Sequence, residues 1–282
     1  MPRGCDTLGG MSLWWINGAL IPAHEASLPI VDHGLTVGDG CFETTKIVRG
    51  TPFAMRRHLA RLRHSLDGLG IELAVDDDHL RAAAQEVADA NPDMGVLRLT
   101  VTAGPGPLGS GRGDGAPNVI IGTAPDRGWT GTAAVVTVPW PRNERGALAG
   151  IKSTSYAENV IALAHAKAHG ASEAIFANTV GDLCEGTGTN IVVEHDGRLV
   201  TPPLSSGCLA GVTRALVIET SAVVEADLPI EVLATTSEAF LTSSTRDVMA
   251  IDRIDDRSLE VGPLTRAAAD AFAAVMAADL DP

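Results

Sequence analysis

The sequence predicts a mixed α/β (α+β) chain folded as two domains. Three observations lead there. Segments with helical periodicity alternate with short apolar runs of strand length. The chain has 282 residues, enough for two ordinary domains or one large one. The pattern weakens once, around Ala124–Gly131, where a linker is placed.

Met1–Gly10 is polar and Gly-rich and lacks the apolar core of a signal peptide. It is expected to be disordered, or to precede a natural start at Met11. Trp14–Ile21 reads as a hairpin, because Asn17-Gly18 is a strong turn signal between apolar runs. Cys41–Val48 reads as a strand, and Arg49-Gly50 turns it into another short one. Leu59, Leu62, Leu66 and Leu69 recur at helical spacing, which predicts a helix over Met55–Leu69 stopped by Gly70. Asp76–Ala90 reads as a second helix, acidic in its first turn and ended by Asn91-Pro92. Val96–Thr102 and Asn118–Gly122 read as strands.

Between those strands, Gly104–Gly109 matches G-x-G-x-x-G. A dinucleotide site is rejected, because no helix follows and two prolines and more glycines take its place. A mobile hairpin loop over Gly104–Gly115 fits the pattern. Beyond the linker, strands are expected at Ala134–Pro139, Ala174–Ala177, Asn190–Glu194, Arg198–Thr201, Ile230–Leu233, Ala239–Ser243 and Val248–Ile251. Helices are expected over Tyr156–His169, Val212–Ser221 and Leu264–Ala278.

Hydrophobic residues make up 45% of the chain and charged ones 20%, which suits a real core. The net charge of -14 argues against nucleic acid or an anionic membrane as the main partner. A small anionic ligand needs only a local positive site and stays open. No apolar run reaches transmembrane length. Cys5, Cys41, Cys184 and Cys208 form no C-x-x-C pair, so reduced thiols in a cytoplasmic protein are expected. The histidines are read as lacking ligand spacing, and no metal is expected.

Lys152 follows the apolar stretch Leu148-Ala-Gly-Ile151, where an amine is partly desolvated and becomes a better nucleophile and base. Taken alone it is weak evidence, because most lysines are solvated. Glu185 precedes Gly-Thr-Gly-Thr and the apolar Ile191-Val-Val193, which places it at a strand entrance; alone it reads equally as a loop carboxylate. Together the two match what pyridoxal phosphate chemistry needs. An amine condenses with the cofactor aldehyde, and an acid keeps the pyridine nitrogen protonated. Leu209-Ala-Gly-Val-Thr-Arg214 opens a helix with a glycine turn, suited to a phosphate or simply to a capped helix. Ser243-Ser244-Thr245 offers hydroxyls at a strand end. Arg61, beside Arg56, Arg57 and Arg63, reads as a surface arginine on residue type alone.

The chain resembles the class IV aminotransferase family, the pyridoxal phosphate enzymes of fold type IV. The likeness runs through Val37-Gly-Asp-Gly-Cys-Phe-Glu43, His58-Leu-Ala-Arg61-Leu, Gly150-Ile-Lys152, Glu185-Gly-Thr-Gly-Thr-Asn190, Thr201-Pro-Pro203, Gly211-Val-Thr-Arg214 and Leu241-Thr-Ser-Ser244. It implies that Lys152 is the Schiff-base lysine and Glu185 the partner of the pyridine nitrogen. It likewise implies a phosphate cup of Arg61, Val212, Thr213, Ser243 and Ser244, which lifts Arg61 out of its surface reading. The implied fold is a small N-terminal α/β domain over 11–125 and a larger C-terminal domain over 126–282 carrying Lys152. The cofactor lies in the interdomain cleft. A homodimer is also implied.

Within the family, Pro141–Lys152, Gly38-Asp-Gly-Cys-Phe42 and Lys152-x-x-Ser-Tyr-Ala-x-Asn159 resemble 4-amino-4-deoxychorismate lyases. Ala103 replaces the arginine that D-amino-acid aminotransferases and several lyases use to hold a substrate carboxylate, and Phe42 replaces a tyrosine of the D-amino-acid aminotransferases. The G-N-Y motif of branched-chain enzymes is missing after the lysine. Phe42, Asn190 and Arg112 are the expected substrate-binding residues, with Arg112 standing in for the missing arginine. The resemblance thus implies conversion of 4-amino-4-deoxychorismate to 4-aminobenzoate and pyruvate. The alternative is an aminotransferase of branched-chain or D-amino-acid type. A non-catalytic cofactor-binding protein is the third reading, disfavoured by the intact Lys152–Glu185 pair.

Overall fold

The computed structural model describes residues 12–282. The disorder expected for Met1–Gly10 falls outside them. The described chain divides into two compact units.

The first unit is built on a six-stranded antiparallel sheet. Its strands are β1 (Leu13–Ile16), β2 (Ala19–Pro22), β3 (Gly40–Val48), β4 (Thr51–Pro52), β5 (Val96–Thr102) and β6 (Asn118–Ala124), in the order β2-β1-β6-β5-β3-β4. A short helix, α1 (His33–Thr36), and two longer ones, α2 (Met55–Leu69) and α3 (Asp77–Ala90), complete it. Asn17 and Gly18 turn the first hairpin with φ of 50° and 99°, the two positive values that an Asn-Gly turn supplies. The leucine stripe acts as expected: Leu59, Leu62 and Leu66 are buried with Leu80 and Val87 of α3 against Leu97, Leu99, Val101 and Ile121 of the sheet. Gly70 ends α2 at φ 65°, a left-handed cap open to glycine at little cost. Asp76 caps α3 by accepting from the His79 N–H at 2.8 Å.

The second unit holds a nine-stranded mixed sheet. Its strands are β7 (Ala133–Thr137), β8 (Glu173–Ala177), β9 (Leu183–Gly186), β10 (Asn190–His195), β11 (Arg198–Thr201), β12 (Val223–Glu225), β13 (Ala239–Ser243), β14 (Asp247–Ile254) and β15 (Arg257–Ser258). The order is β12-β11-β10-β13-β14-β7-β8-β9, with β15 on β14. Helices α4 (Ala157–Ala168), α5 (Val212–Thr220) and α6 (Pro263–Ala278) accompany it. Ile175, Leu183, Ile191, Val193, Leu241 and Ile251 form one core on the sheet. Ala162 and Ala166 of α4 pack with Val136, Ala174 and Phe176 in another.

Two expectations are corrected. Ile230–Ala234 is a 3-10 turn, not a strand. Pro229 starts it, and bonds from Val232 N–H to Pro229 O and from Thr235 N–H to Val232 O close it. The boundary expected at 125/126 falls after Gly128, and Lys152 belongs with the first unit rather than the second. The reason is backbone pairing: Phe42 N–H donates to Lys152 O at 3.0 Å, and Thr154 N–H to Gly40 O at 2.8 Å. Ile151–Ser155 is thereby held along β3, and Leu280–Pro282 also joins the first unit.

Candidate active site

In the first unit, Lys152 is half-buried, with its backbone N–H donating to Ser65 Oγ at 3.2 Å. Its Nζ lies 4.5 Å from the centre of the Phe42 ring. The guanidinium carbon of Arg98 lies 3.7 Å from the same ring. Phe42 is thus a buried aromatic with two cations against it, a placement that favours both. Arg98 stands on β5 and was not anticipated; its position opposite β3 emerges only from strand register.

Behind this group lies a buried ionic cluster. Glu43 Oε1 accepts from Arg61 Nε at 2.9 Å, and Oε2 from Arg61 Nη2 at 2.6 Å and from His58 Nδ1 at 2.7 Å. Burial alone would raise the Glu43 carboxyl; the charge and hydrogen bonds of Arg61, with those of His58, outweigh it and hold the group down at about 2. Burial lowers His58, aided by Arg61 and Lys152, against the pull of Glu43. Arg61 therefore has two of its nitrogens fixed by Glu43. His58 and Arg61 are three residues apart on α2, so one helix face presents both to the strand residue.

Arg112, expected to hold a substrate carboxylate, stands on the glycine loop. It pairs with both oxygens of Asp39 at 2.7 Å and donates to Leu69 O and Gly70 O at 2.7 Å. This ties the glycine loop to the rest of its unit. His33, 1% exposed, adds a contact from Nε2 to Pro107 O at 2.9 Å.

In the second unit, Glu185 is the third residue of β9, opposite Phe176 of β8. Its Oε2 accepts from the Leu209 N–H at 2.9 Å. Its Oε1 lies 3.2 Å from Arg142 Nε, an ion pair bent away from hydrogen-bond geometry. The Arg142 guanidinium rests 4.2 Å above the Phe176 ring, which sets its position. Leu209 leads into Gly211, the N-cap of α5, which has no side-chain cap. The first-turn N–H groups of Val212 and Thr213 therefore face an end suited to an anion.

Asn190, expected to bind substrate, donates from Nδ2 to Leu209 O at 2.9 Å. A Cβ on Gly211 would collide with its Oδ1, so glycine is needed for the close approach. Asn190 pairs with Thr242 across β10 and β13, and Ser243 and Ser244 follow at the strand end. Thr242 Oγ1 is buried and has no hydrogen-bond partner among the described residues. An uncapped helix start, an orphaned hydroxyl and two serines form a donor set that fits a phosphate. The Glu185 carboxylate of the same unit suits a pyridine N–H, and Lys152 in the first unit is a half-buried amine.

His165 and His169 do stand four residues apart, contrary to the expectation that the histidines lack such spacing. His169 Nδ1 is bonded to His165 O at 2.9 Å and the rings stack at 4.2 Å. Among the described residues no group of three or more metal-ligating side chains gathers, and no helix is long and apolar enough to cross a membrane. Cys41, Cys184 and Cys208 are buried free thiols, and burial pushes Cys41 up to about 12.

A family model described as amino-transferase class IV matches residues 40–254. The chain is 31% identical over 272 residues to a putative branched-chain-amino-acid aminotransferase of Methanocaldococcus jannaschii, covering 92% of this chain and 94% of that one. It is 31% identical over 269 residues to a D-alanine aminotransferase of Bacillus licheniformis, covering 89% and 92%. An aminodeoxychorismate lyase of Bacillus subtilis is 26% identical over 253 residues, covering 86% of each. The crystal structure of a branched-chain aminotransferase from Thermoproteus uzoniensis superposes with a TM-score of 0.87 at 27% identity, over 94% of this chain and 95% of that one.

Proposed function

The chain belongs to the class IV aminotransferases, pyridoxal phosphate enzymes of fold type IV, and from that premise we propose that it moves the amino group of an amino acid to a 2-keto acid. The observation that carries this reading is that two relatives at 31% identity, aligned over about nine tenths of both chains, are both named aminotransferases. In it, Lys152 is the residue bonded to the cofactor and Glu185 holds the pyridine N–H. Val212, Thr213, Ser243 and Ser244, with Thr242 beside them, bind the phosphate, and Arg61 adds its charge. When bound, pyridoxal phosphate supplies an electron sink that makes the bonds at the amine-bearing carbon labile.

Lys152 Nζ would serve as base and acid, taking up the proton of the substrate's amine-bearing carbon and giving it back later in the transfer. Glu185 would accept from the pyridine N–H, with its two oxygens held by the Leu209 N–H and Arg142. Arg98, beside Phe42, offers a positive group for a substrate carboxylate. A second copy of the chain is the proposed partner.

The lyase reading stands second. It is favoured by the likeness of Pro141–Asn159 to lyase members and by Phe42, which departs from the D-amino-acid pattern. There Lys152 would take the same proton, the ring C–O bond to the enolpyruvyl group would break, and Lys152 or a bound water would protonate the departing group, which leaves as pyruvate. One experiment separates the two. The holoenzyme is given 4-amino-4-deoxychorismate without a keto acid, and in parallel L-leucine or D-alanine with 2-oxoglutarate. Glutamate formation in the second mixture only, lost in Lys152→Ala, is the expected result. Pyruvate and 4-aminobenzoate from the first mixture alone would replace the aminotransferase with the lyase.

A further inference from the structure

Glu173, the first residue of β8, belongs to none of the motifs above and is 1% exposed. Its Oε1 accepts from the Thr187 N–H at 3.0 Å, from the Thr187 hydroxyl, and from the Ala174 N–H at 3.1 Å. Its Oε2 accepts from the Thr189 hydroxyl at 3.3 Å and lies 3.4 Å from Arg246 Nη2. Arg246 is held in its turn: its guanidinium lies 4.0 Å from the centre of the Trp129 ring, and it donates to Ser172 O at 3.1 Å. A carboxylate this deeply buried is costly unless its donors are in place, and here they are.

What these bonds fix is the chain directly after Glu185. Gly186 packs on the Glu173 side chain: an added Cβ would sit 3.1 Å from its Cγ and collide with the Thr189 hydroxyl. From the other side, Thr187 O accepts from Asn159 Nδ2 at 2.8 Å and from the Tyr156 hydroxyl at 3.2 Å. Burial raises the Tyr156 phenol, which keeps it a donor. Gly186, Thr187 and Thr189 of Glu185-Gly-Thr-Gly-Thr thus have a physical reason: they are the groups small enough, or hydroxylated, to wrap one buried carboxylate.

We propose that Glu173 is a positioning residue that acts through Glu185, fixing the turn at 186–189 and with it the aim of the Glu185 carboxylate at the cofactor nitrogen. The inference rests on the reading of Glu185 as that nitrogen's partner. It is tested on holoenzyme reconstituted with pyridoxal phosphate. Cofactor affinity is measured by equilibrium dialysis, and the pH midpoint of the visible absorbance of the bound cofactor by titration. Glu173→Gln is expected to weaken cofactor affinity about tenfold, the usual scale for hydrogen bonds to a charged group. It is also expected to move the midpoint in the same direction as Glu185→Gln. In the Glu173→Gln/Glu185→Gln double variant no further shift is expected, because the two act as one unit. Glu238→Gln is the control. Its Oε2 accepts from the Thr265 N–H at 2.7 Å at the start of α6, so it should lower Tm and leave the midpoint unmoved.

A midpoint unmoved by Glu173→Gln but moved by Glu185→Gln overturns the positioning role alone. A full extra shift in the double variant overturns it too. A midpoint unmoved by Glu185→Gln overturns the reading of Glu185, and the positioning role with it. If Glu173→Gln does not fold, Thr187→Val removes one donor to the same oxygen. It should move the midpoint the same way by less, and no movement overturns the proposal.

Discussion

Glu43 shows how one side chain sets a pH response. Its folded pKa lies below the ordinary 4.5, so its contribution to stability is present above 4.5 and lost as pH falls toward about 2. His58 is also lowered, so its contribution is present above 6.5 and lost as pH falls below that. Both make the native state weaken in acid. In Glu43→Gln the loss between 4.5 and 2 should flatten, while Tm at neutral pH drops because Arg61 loses its counter-charge, a loss of about 3–5 kcal/mol for a broken buried pair. Thermal melts from pH 3 to 8 check both; an unchanged acid slope in the variant would contradict the assignment. Lys152 and Glu185 stand out in the sequence as candidates because each lies in a segment whose neighbours are specific. Glu43 and His58 lay within quoted segments, yet nothing in their residue types says that a strand carboxylate meets one face of α2. Arg98, Arg142 and Glu173 were invisible for the same reason: their partners come from distant stretches brought together by strand pairing.

The elements were legible where periodicity or a turn residue speaks locally. Met55–Leu69 emerged with its expected bounds because four leucines and a closing glycine define it. β9 was missed because Leu183–Gly186 is only four residues long and reads as a turn from its glycines. β12, Val223–Glu225, has three residues and no alternation to detect. The apolar Ile230–Leu233 run buries Val232 and Leu233 equally well in a 3-10 turn, and only its backbone bonds tell the two apart. The start of α5 gives an element-level prediction. Gly211 has an ordinary φ of -66°, so backbone strain is not what requires glycine there. The requirement is the Asn190 side chain. Gly211→Ala should push the helix start off Asn190, costing about 1–3 kcal/mol as other overpacking does. It should also weaken pyridoxal phosphate binding. Denaturant melts and cofactor dialysis report each separately. A variant with wild-type affinity and stability would mean that Asn190 yields freely.

At the scale of the whole molecule, the first unit carries a row of exposed apolar side chains, Leu28, Ile30, Val31, Leu35 and Val37, with Ile30 77% exposed. Monomers seldom leave such a run in water. A second copy is the proposed cover, and sedimentation should give twice the chain mass of 29.2 kDa. Ile30→Glu with Leu35→Glu should shift the protein toward the monomer; a wild-type monomer at micromolar concentration would end this reading. The division into units also bears on how the chain is made. The first unit takes its first residues from the start of the described chain, a further strip at Ile151–Ser155 and its last piece at Leu280–Pro282. Ala54 N–H donates to Leu280 O at 2.7 Å, and Arg56 N–H to Asp281 Oδ1 at 2.8 Å. These partners are translated long after the segments they join. The strand that bears Phe42 and Glu43 waits for Lys152, and the head of α2 waits for Leu280–Pro282. The N-terminal unit is therefore completed late although its first segments are translated early.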